Sequence, residues 1–205
     1  MNESILANRS AVDRNKTDYY RTPPDVTFAL LNFLEDVGHL DTTATIWEPA
    51  CGTGEMAEAM KSRGYEVFAT DLHPAGYGSP DAEDFLTTSV VARPLDWIIT
   101  NPPFSLAEKF IHHGFELDKP CAFLLKSQFW HARKRLDLFE KHPPAYVLPL
   151  TWRPDFLWGE KSGSPTMECL WTVWLGPECI TEYHPLRRPP VNPFEFKEAD
   201  HESQG

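Results

Sequence analysis

Residues 44–71 read ATIWEPACGTGEMAEAMKSRGYEVFATD. An apolar run ends at Glu48-Pro49, a loop with two glycines follows, a helical stretch stops at Gly64, and a second apolar run ends at Asp71. The pattern predicts a strand over 44–50, a helix over about 55–63 and a strand over 65–71, a βαβ unit of an α/β fold. Gly52 and Gly54 permit backbone angles closed to other residues and let a ligand come against the main chain, while the helix behind them offers free N–H groups. A nucleotide-like ligand is expected there. Gly52-x-Gly54-x-x-Ala57 also fits a dinucleotide-binding fingerprint. Asp71, 17 residues after Gly54, stands where a carboxylate can accept both hydroxyls of a ribose. A pair of turn glycines and a loop aspartate are the purely structural alternatives.

Outward from this unit, strand and helix continue to alternate. A helix is predicted from about Pro24 to Asp36, with Pro23 and Pro24 suiting its start. A short third strand is predicted near Asp84–Leu86 and a fourth over 95–100, stopped by Asn101-Pro102-Pro103 because proline has no N–H for a ladder. A helix at about 105–117, a strand at 121–127, a helix at about 130–141 and a strand at 145–150 follow. The last strand, 168–176, breaks the alternation and is expected to enter antiparallel. The result is a seven-stranded, mostly parallel sheet with an antiparallel last strand and helices on both faces. Residues 18–194 make one domain, 1–17 a flexible N-terminal arm and 195–205 an acidic tail, and neither end has the length or apolar content of a separate target-recognition domain.

The 205 residues carry 30 Asp and Glu against 19 Lys and Arg, a formal charge of −11, which speaks against a protein that coats nucleic acid. Cysteines at 51, 121, 169 and 179 form no C-x-x-C pair, so neither a disulfide framework nor a zinc ribbon is expected, and a reducing cytoplasm fits. No stretch approaches the roughly 18 apolar residues of a membrane span. One local exception to the acidity is Lys126–Lys141, with five cations and two acids. There Lys126, Arg133, Lys134 and Arg135, beside Phe129, Trp130 and His131, offer phosphate contacts next to stacking surfaces, the alternative being a solvated amphipathic helix. Arg187-Arg188 is a second, smaller candidate. His112 and His113 point to different faces of a helix and are read as surface or helix-end residues, and no metal site is expected.

The loop Asn101-Pro102-Pro103-Phe104 lies at the same sheet edge as the glycine loop. Two prolines make a rigid corner that fixes two acceptors, Asn101 Oδ1 and the Pro102 carbonyl, beside an aromatic face. That set suits a grip on a planar NH2 group; a proline-stopped strand with Phe104 in the core is the structural alternative.

EPACGTG, an acid ending the second strand, Asp84-Phe85, and NPPF, in that order, resemble the amino-group DNA methyltransferases that use S-adenosylmethionine, adenine-N6 type, and among them the small enzymes of phages and prophages, some from restriction-modification systems. Asp18-Tyr19-Tyr20-Arg21-Thr22-Pro23 resembles the family's upstream motif, so the likeness runs from 18 to about 176. It implies a Rossmann-like class I methyltransferase fold. It implies that Glu48, Gly52 and Gly54 surround the amino-acid part and ribose of the cofactor, with Pro49, Ala50, Leu72 and Asn101 in the same set. Asp71 would hold the ribose hydroxyls, Asp84 the cofactor's adenine amino group with Phe85 beside the ring, and Tyr20, Thr22 and Pro23 the methionine end. Asn101, Pro102, Pro103 and Phe104 would be catalytic, and Arg153 and Phe156 resemble a loop that helps hold an extruded base. The implied reaction is direct methyl transfer to adenine N6 in flipped DNA, by a monomer or homodimer, leaving S-adenosylhomocysteine. NPP[FY] also occurs in similar enzymes acting on RNA amino groups or a protein glutamine amide. A nicotinamide-dependent oxidoreductase or a catalytically silent cofactor-binding module are rivals that leave NPPF unexplained.

Overall fold

The computed structural model describes residues 20–88, 94–156, 165–177 and 179–190. The arm over 1–17, the tail over 195–205 and most of the loop after Phe156 lie outside them. Strands run over Thr45–Glu48 (β1), Glu66–Ala69 (β2), Trp97–Thr100 (β3), Cys121–Lys126 (β4), Tyr146–Pro149 (β5), Cys169–Trp174 (β6) and Glu182–Tyr183 (β7). Helices run over Pro24–Asp36 (α1), Glu55–Ser62 (α2), Ala107–Glu116 (α3) and Leu136–Lys141 (α4). The strands form one sheet in the order β2-β1-β3-β4-β6-β5-β7. β6 is antiparallel to β4 and β5 on either side of it, and every other pairing is parallel.

The apolar runs are continuous because both faces of the sheet are covered. Ile46, Ile99, Leu124 and Trp171 turn to one side, against Leu30 and Leu34 of α1 and Met56 and Met60 of α2. Their chain neighbours Trp47, Ile98, Phe123 and Leu125 turn to the other, against Phe110 and Ile111 of α3 and Leu138 of α4. The pleat thus feeds alternate residues to two cores. Pro24 opens α1 at a position needing no N–H, and Gly38, at φ 75°, turns the chain out behind it so that His39 N–H returns to the Leu34 carbonyl. Trp171 Nε1–H donates to the Val26 carbonyl at 3.0 Å, tying the first turn of α1 to β6.

Three sequence expectations need correction. The strand expected at Asp84–Leu86 is a 3₁₀ turn, Phe85–Thr87, because the Asp84 side chain accepts from Leu86 N–H and curls the backbone. The helix expected over 130–141 is two 3₁₀ turns, Ser127–His131 and Arg133–Arg135, and the short α4. Ala132 between them is extended, and Arg135 reaches back to the Phe129 carbonyl at 2.9 Å, a bond incompatible with one straight helix. The seventh strand is instead β7, two exposed residues beside β5 at the far edge, held there by Thr181 Oγ1 donating to the Pro144 carbonyl.

β1 pairs with β2 on one side and β3 on the other, so the chain changes direction between β1 and β3. In such sheets a crevice opens at the carboxyl ends of the two strands that flank the reversal. The glycine loop and the Asn101 loop are its two walls.

Candidate active site

A pocket of about 770 Å³ occupies that crevice, within the usual small-ligand range of roughly 300–1,000 Å³. Tyr20, Thr22, Glu48, Pro49, Ala50, Asp71, Leu72, Asp84, Phe85, Asn101 and Pro103 line it, all of them expected from the sequence. Glu55, Glu83, His73 and Phe110 also line it and were missed; their only sequence signal is adjacency to the motifs. Pro23 and Pro102 are buried behind the wall.

The two glycines work differently from the expectation of a ligand pressed on bare backbone. Gly52 N–H donates to Asp71 Oδ2 at 2.8 Å, which fixes the carboxylate, and His73 N–H donates to Oδ1 at 2.8 Å. Each oxygen keeps lone pairs that can accept hydroxyls. Gly54 sits at φ 91° under the Tyr77 ring, where a Cβ would collide with the ring carbons. The close approach there is made by Tyr77.

The lining holds five carboxylates, Glu48, Glu55, Asp71, Glu83 and Asp84, and no Lys or Arg. Glu48 is 2 % exposed; Oε2 has no hydrogen-bond partner among the described residues, and a backbone bond from Ala57 is its compensation. Burial, then the charges of Glu55 and Asp71, push its carboxyl well above the usual glutamate range. Such a pocket favours a cationic ligand and disfavours phosphate. The charge of this lining would suit a ligand that carries an ammonium and a sulfonium, as S-adenosylmethionine does.

Phe85 is buried edge-on to Trp47 at 5.1 Å between ring centroids and lies 4.7 Å from Phe110. His113 backs it at 4.8 Å and bonds the Thr88 carbonyl at 2.9 Å through Nε2, which must carry the hydrogen because a carbonyl only accepts. At 8 % exposure His113 is no surface residue: it pins the 3₁₀ turn that presents Asp84 and Phe85.

Asn101 Nδ2 donates to Thr22 Oγ1 at 3.0 Å and, at a long 3.5 Å, to the Tyr20 carbonyl. Its Oδ1 is buried without a partner among the described residues. The segment before α1 touches three parts of the site through three consecutive residues. Thr22 bonds Asn101, Arg21 Nε donates to Glu55 Oε1 at 2.6 Å beside the glycine loop, and the Tyr20 ring lies 5.1 Å from Phe104 and 5.6 Å from Phe156. Lys126 Nζ stands 4.0 Å over the Phe104 ring and 5.2 Å over Tyr20. Phe104, Phe156 and Lys126, widely spaced in the sequence, are thus brought together next to Asn101.

The remaining candidate cations are less available. Arg135 lies over the Phe129 ring, 3.8 Å away, and pairs with Glu108 at 3.3 Å. Lys134 lies 3.9 Å from Glu108, Arg153 pairs with Glu168 at 2.7 Å, and Arg188 pairs with the buried Asp25 at 2.6 Å. Arg133 is exposed with no ion-pair partner among the described residues. Burial pushes the Cys51 and Cys169 thiols up to about 12 and that of Cys121 higher still, so none is a thiolate near neutrality. Among the described residues no group of three His, Cys, Asp or Glu could hold a metal, and no helix is long and apolar enough to cross a membrane.

No family model matches the chain. Among solved structures it resembles a Pyrococcus horikoshii protein assigned as an RNA methyltransferase, at 16% identity over 78% of this chain and 88% of that one, TM-score 0.60. A Listeria monocytogenes protein assigned as a class I S-adenosylmethionine-dependent methyltransferase matches at 15% identity over 82% and 67%, TM-score 0.55. The modification subunit assigned to a Vibrio vulnificus type I restriction enzyme matches at 16% identity over 92% of this chain and 53% of that one, TM-score 0.52. The crevice therefore stands at the carboxyl edge of a Rossmann-like class I methyltransferase fold.

Proposed function

We propose that the protein transfers a methyl group from S-adenosylmethionine to the exocyclic N6 amino group of adenine in DNA. The observation that carries the reading is the buried Oδ1 of Asn101 in a wall of the pocket, without a hydrogen-bond partner among the described residues. A buried acceptor without a donor costs on the order of 1–3 kcal/mol, an expense that a substrate N–H would relieve. When bound, S-adenosylmethionine supplies an electrophilic methyl group. The protein's part is to hold the amino group: Asn101 Oδ1 and the Pro102 carbonyl accept its two hydrogens and draw the nitrogen lone pair out of conjugation toward the pocket. Tyr20 and Phe104 offer ring faces to the extruded base and Lys126 a cation at its edge, while Phe156, 5 % exposed, backs the Tyr20 ring. The likeness to a restriction-modification subunit supports DNA as substrate.

A second reading, an RNA amino group or a protein glutamine amide, draws on the likeness to a protein assigned as an RNA methyltransferase. The same two acceptors serve it. A nicotinamide-dependent oxidoreductase is disfavoured, because five carboxylates and no cation in the lining would repel a pyrophosphate. Incubation with methyl-labelled cofactor and, separately, duplex DNA, ribosomal RNA and cell extract decides the substrate by where the label appears. Asn101→Ala is expected still to bind the cofactor but to lose transfer by two orders of magnitude or more, on the order of the loss for a transition-state acceptor or donor. Full activity in that variant defeats the reading.

A further inference from the structure

We propose that Arg21 is a positioning residue for the base: its ion pair with Glu55 holds the segment that carries Tyr20 and Thr22 in place beside Asn101. The inference rests on the proposed amino-group methylation and gives a role to a residue to which the sequence assigns none.

Residues 20–23 lie outside every helix and strand, and side chains pin them. Two of the three consecutive side chains reach toward the Asn101 wall. The Tyr20 ring meets Phe104 at 5.1 Å and Phe156 at 5.6 Å between centroids, and Thr22 Oγ1 bonds Asn101 Nδ2 at 3.0 Å. Arg21, between them, reaches the glycine-loop wall instead, where its Nε donates to Glu55 Oε1 at 2.6 Å. Ring contacts and a neutral hydrogen bond are soft restraints; a hydrogen bond between two charged groups is the stronger kind.

Glu55 suits the part of an anchor because it is itself fixed. It opens α2, where the positive end of the helix dipole favours a carboxylate, and the Thr53 hydroxyl lies 2.6 and 2.7 Å from its two oxygens. Its side chain is 12 % exposed, which shields the pair from the screening that weakens surface ion pairs. The partners are 34 positions apart, so only the fold brings the start of α2 against the segment before α1. Glu55 is also one of the five carboxylates of the pocket lining, which holds no Lys or Arg. Removing Arg21 therefore has opposite effects on the two ligands. The base side loses a restraint on Tyr20 and Thr22, whereas the carboxylate that faces the pocket loses a competing cation.

On the acceptor that the labelling experiment identifies, Arg21→Met is expected to lower kcat about tenfold, because small displacements of positioning groups are costly. The calorimetric Kd for S-adenosylmethionine should stay the same or fall, since Glu55 keeps its charge for a cationic ligand. A rise in that Kd of several-fold would make Arg21 a cofactor ligand and overturn the proposal, as would full kcat in Arg21→Met. An independent readout needs no turnover. In protein labelled with 3-fluorotyrosine, the Tyr20 fluorine signal is identified by its absence in Tyr20→Phe. It should move toward the free amino acid's position in Arg21→Met, with the other tyrosine signals in place, and stay at the wild-type position in Arg21→Lys, which keeps a cation within reach of Glu55. An unmoved Tyr20 signal in Arg21→Met overturns the proposal. Should that variant not fold, Arg21→Gln carries the same readouts. If the wild type transfers no methyl group to any acceptor, the methylation reading falls, while the Tyr20 signal still decides whether Arg21 places the segment.

Discussion

Glu48 ends β1, 2 % exposed, with one carboxyl oxygen that has no hydrogen-bond partner among the described residues. The folded state holds its proton more tightly than the unfolded chain, whose glutamate titrates near 4.5. The sign of the linkage follows: the neutral carboxyl contributes fully below the unfolded value, and that contribution is lost as pH rises through the folded one. Wild-type protein without ligand is expected to lose melting temperature across that window, and Glu48→Gln, which keeps the shape and cannot ionise, to lose less. Calorimetric scans of both proteins at fixed ionic strength check this, and parallel curves would refute it. A cationic cofactor should draw the proton off, so titration in two buffers of different ionisation enthalpy should show proton release in the wild type and none in Glu48→Gln. The Asp71 carboxylate in the same pocket is met by two backbone N–H groups, those of Gly52 and His73.

The glycine loop is held by the way α2 starts. Gly54 caps α2 in the left-handed region, with Tyr77 packed on its Cα. The Tyr77 hydroxyl donates to Glu58 and accepts from Lys61 Nζ, so the ring is tied down by the helix it covers. Gly54→Ala should therefore meet two costs, about 1–2 kcal/mol for a left-handed alanine and a further steric cost against the ring. Tyr77→Ala in the same chain should remove the second and leave the first, making the pair less destabilised than the sum of the singles. Urea denaturation of the four proteins measures it; additive losses would show that the ring is not the obstacle. Elements bounded by Pro or Gly, such as α1, α2 and β1 to β4, were legible because the signals are local. Asp84–Leu86, the 130–141 helix and β7 were not, since an Asp84 cap, an Arg135 bond to Phe129 and a Thr181 bond to Pro144 decide them. The site divides in the same way. Asn101, Asp71 and Glu48 follow from their places at strand ends, whereas the Thr22 bond, the buried His113 and the Phe104, Phe156 and Lys126 cluster depend on side chains that only the fold brings together.

If the protein acts on DNA as proposed, the distribution of charge over the whole molecule limits how the duplex can be held. The chain carries −11, and most cations of the basic segment are already engaged: Lys134 and Arg135 with Glu108, and Lys141 with Asp137. Lys126 faces aromatic rings beside Asn101, and Arg133 remains for phosphate. Each phosphate neutralised by a cation releases counterions and contributes about −0.9 to the slope of log affinity against log salt. The acidic remainder repels the duplex, and salt screens that repulsion over a Debye length of about 10 Å at 0.1 M, which flattens the dependence further. Binding of short duplex DNA, followed by fluorescence anisotropy from 20 to 200 mM salt, is therefore expected to show a shallow slope, roughly −1 to −2. Arg133→Ala should lower its magnitude by about 1, with little change in sequence preference, because a phosphate contact carries no base information. With so few backbone contacts, affinity must come largely from the extruded base in the aromatic pocket. A duplex with a mismatched adenine, cheaper to flip, should accordingly bind more tightly than its matched counterpart. A steep slope of about −6 or beyond, unaltered in Arg133→Ala, would place the DNA on a broad cationic face elsewhere and overturn this account.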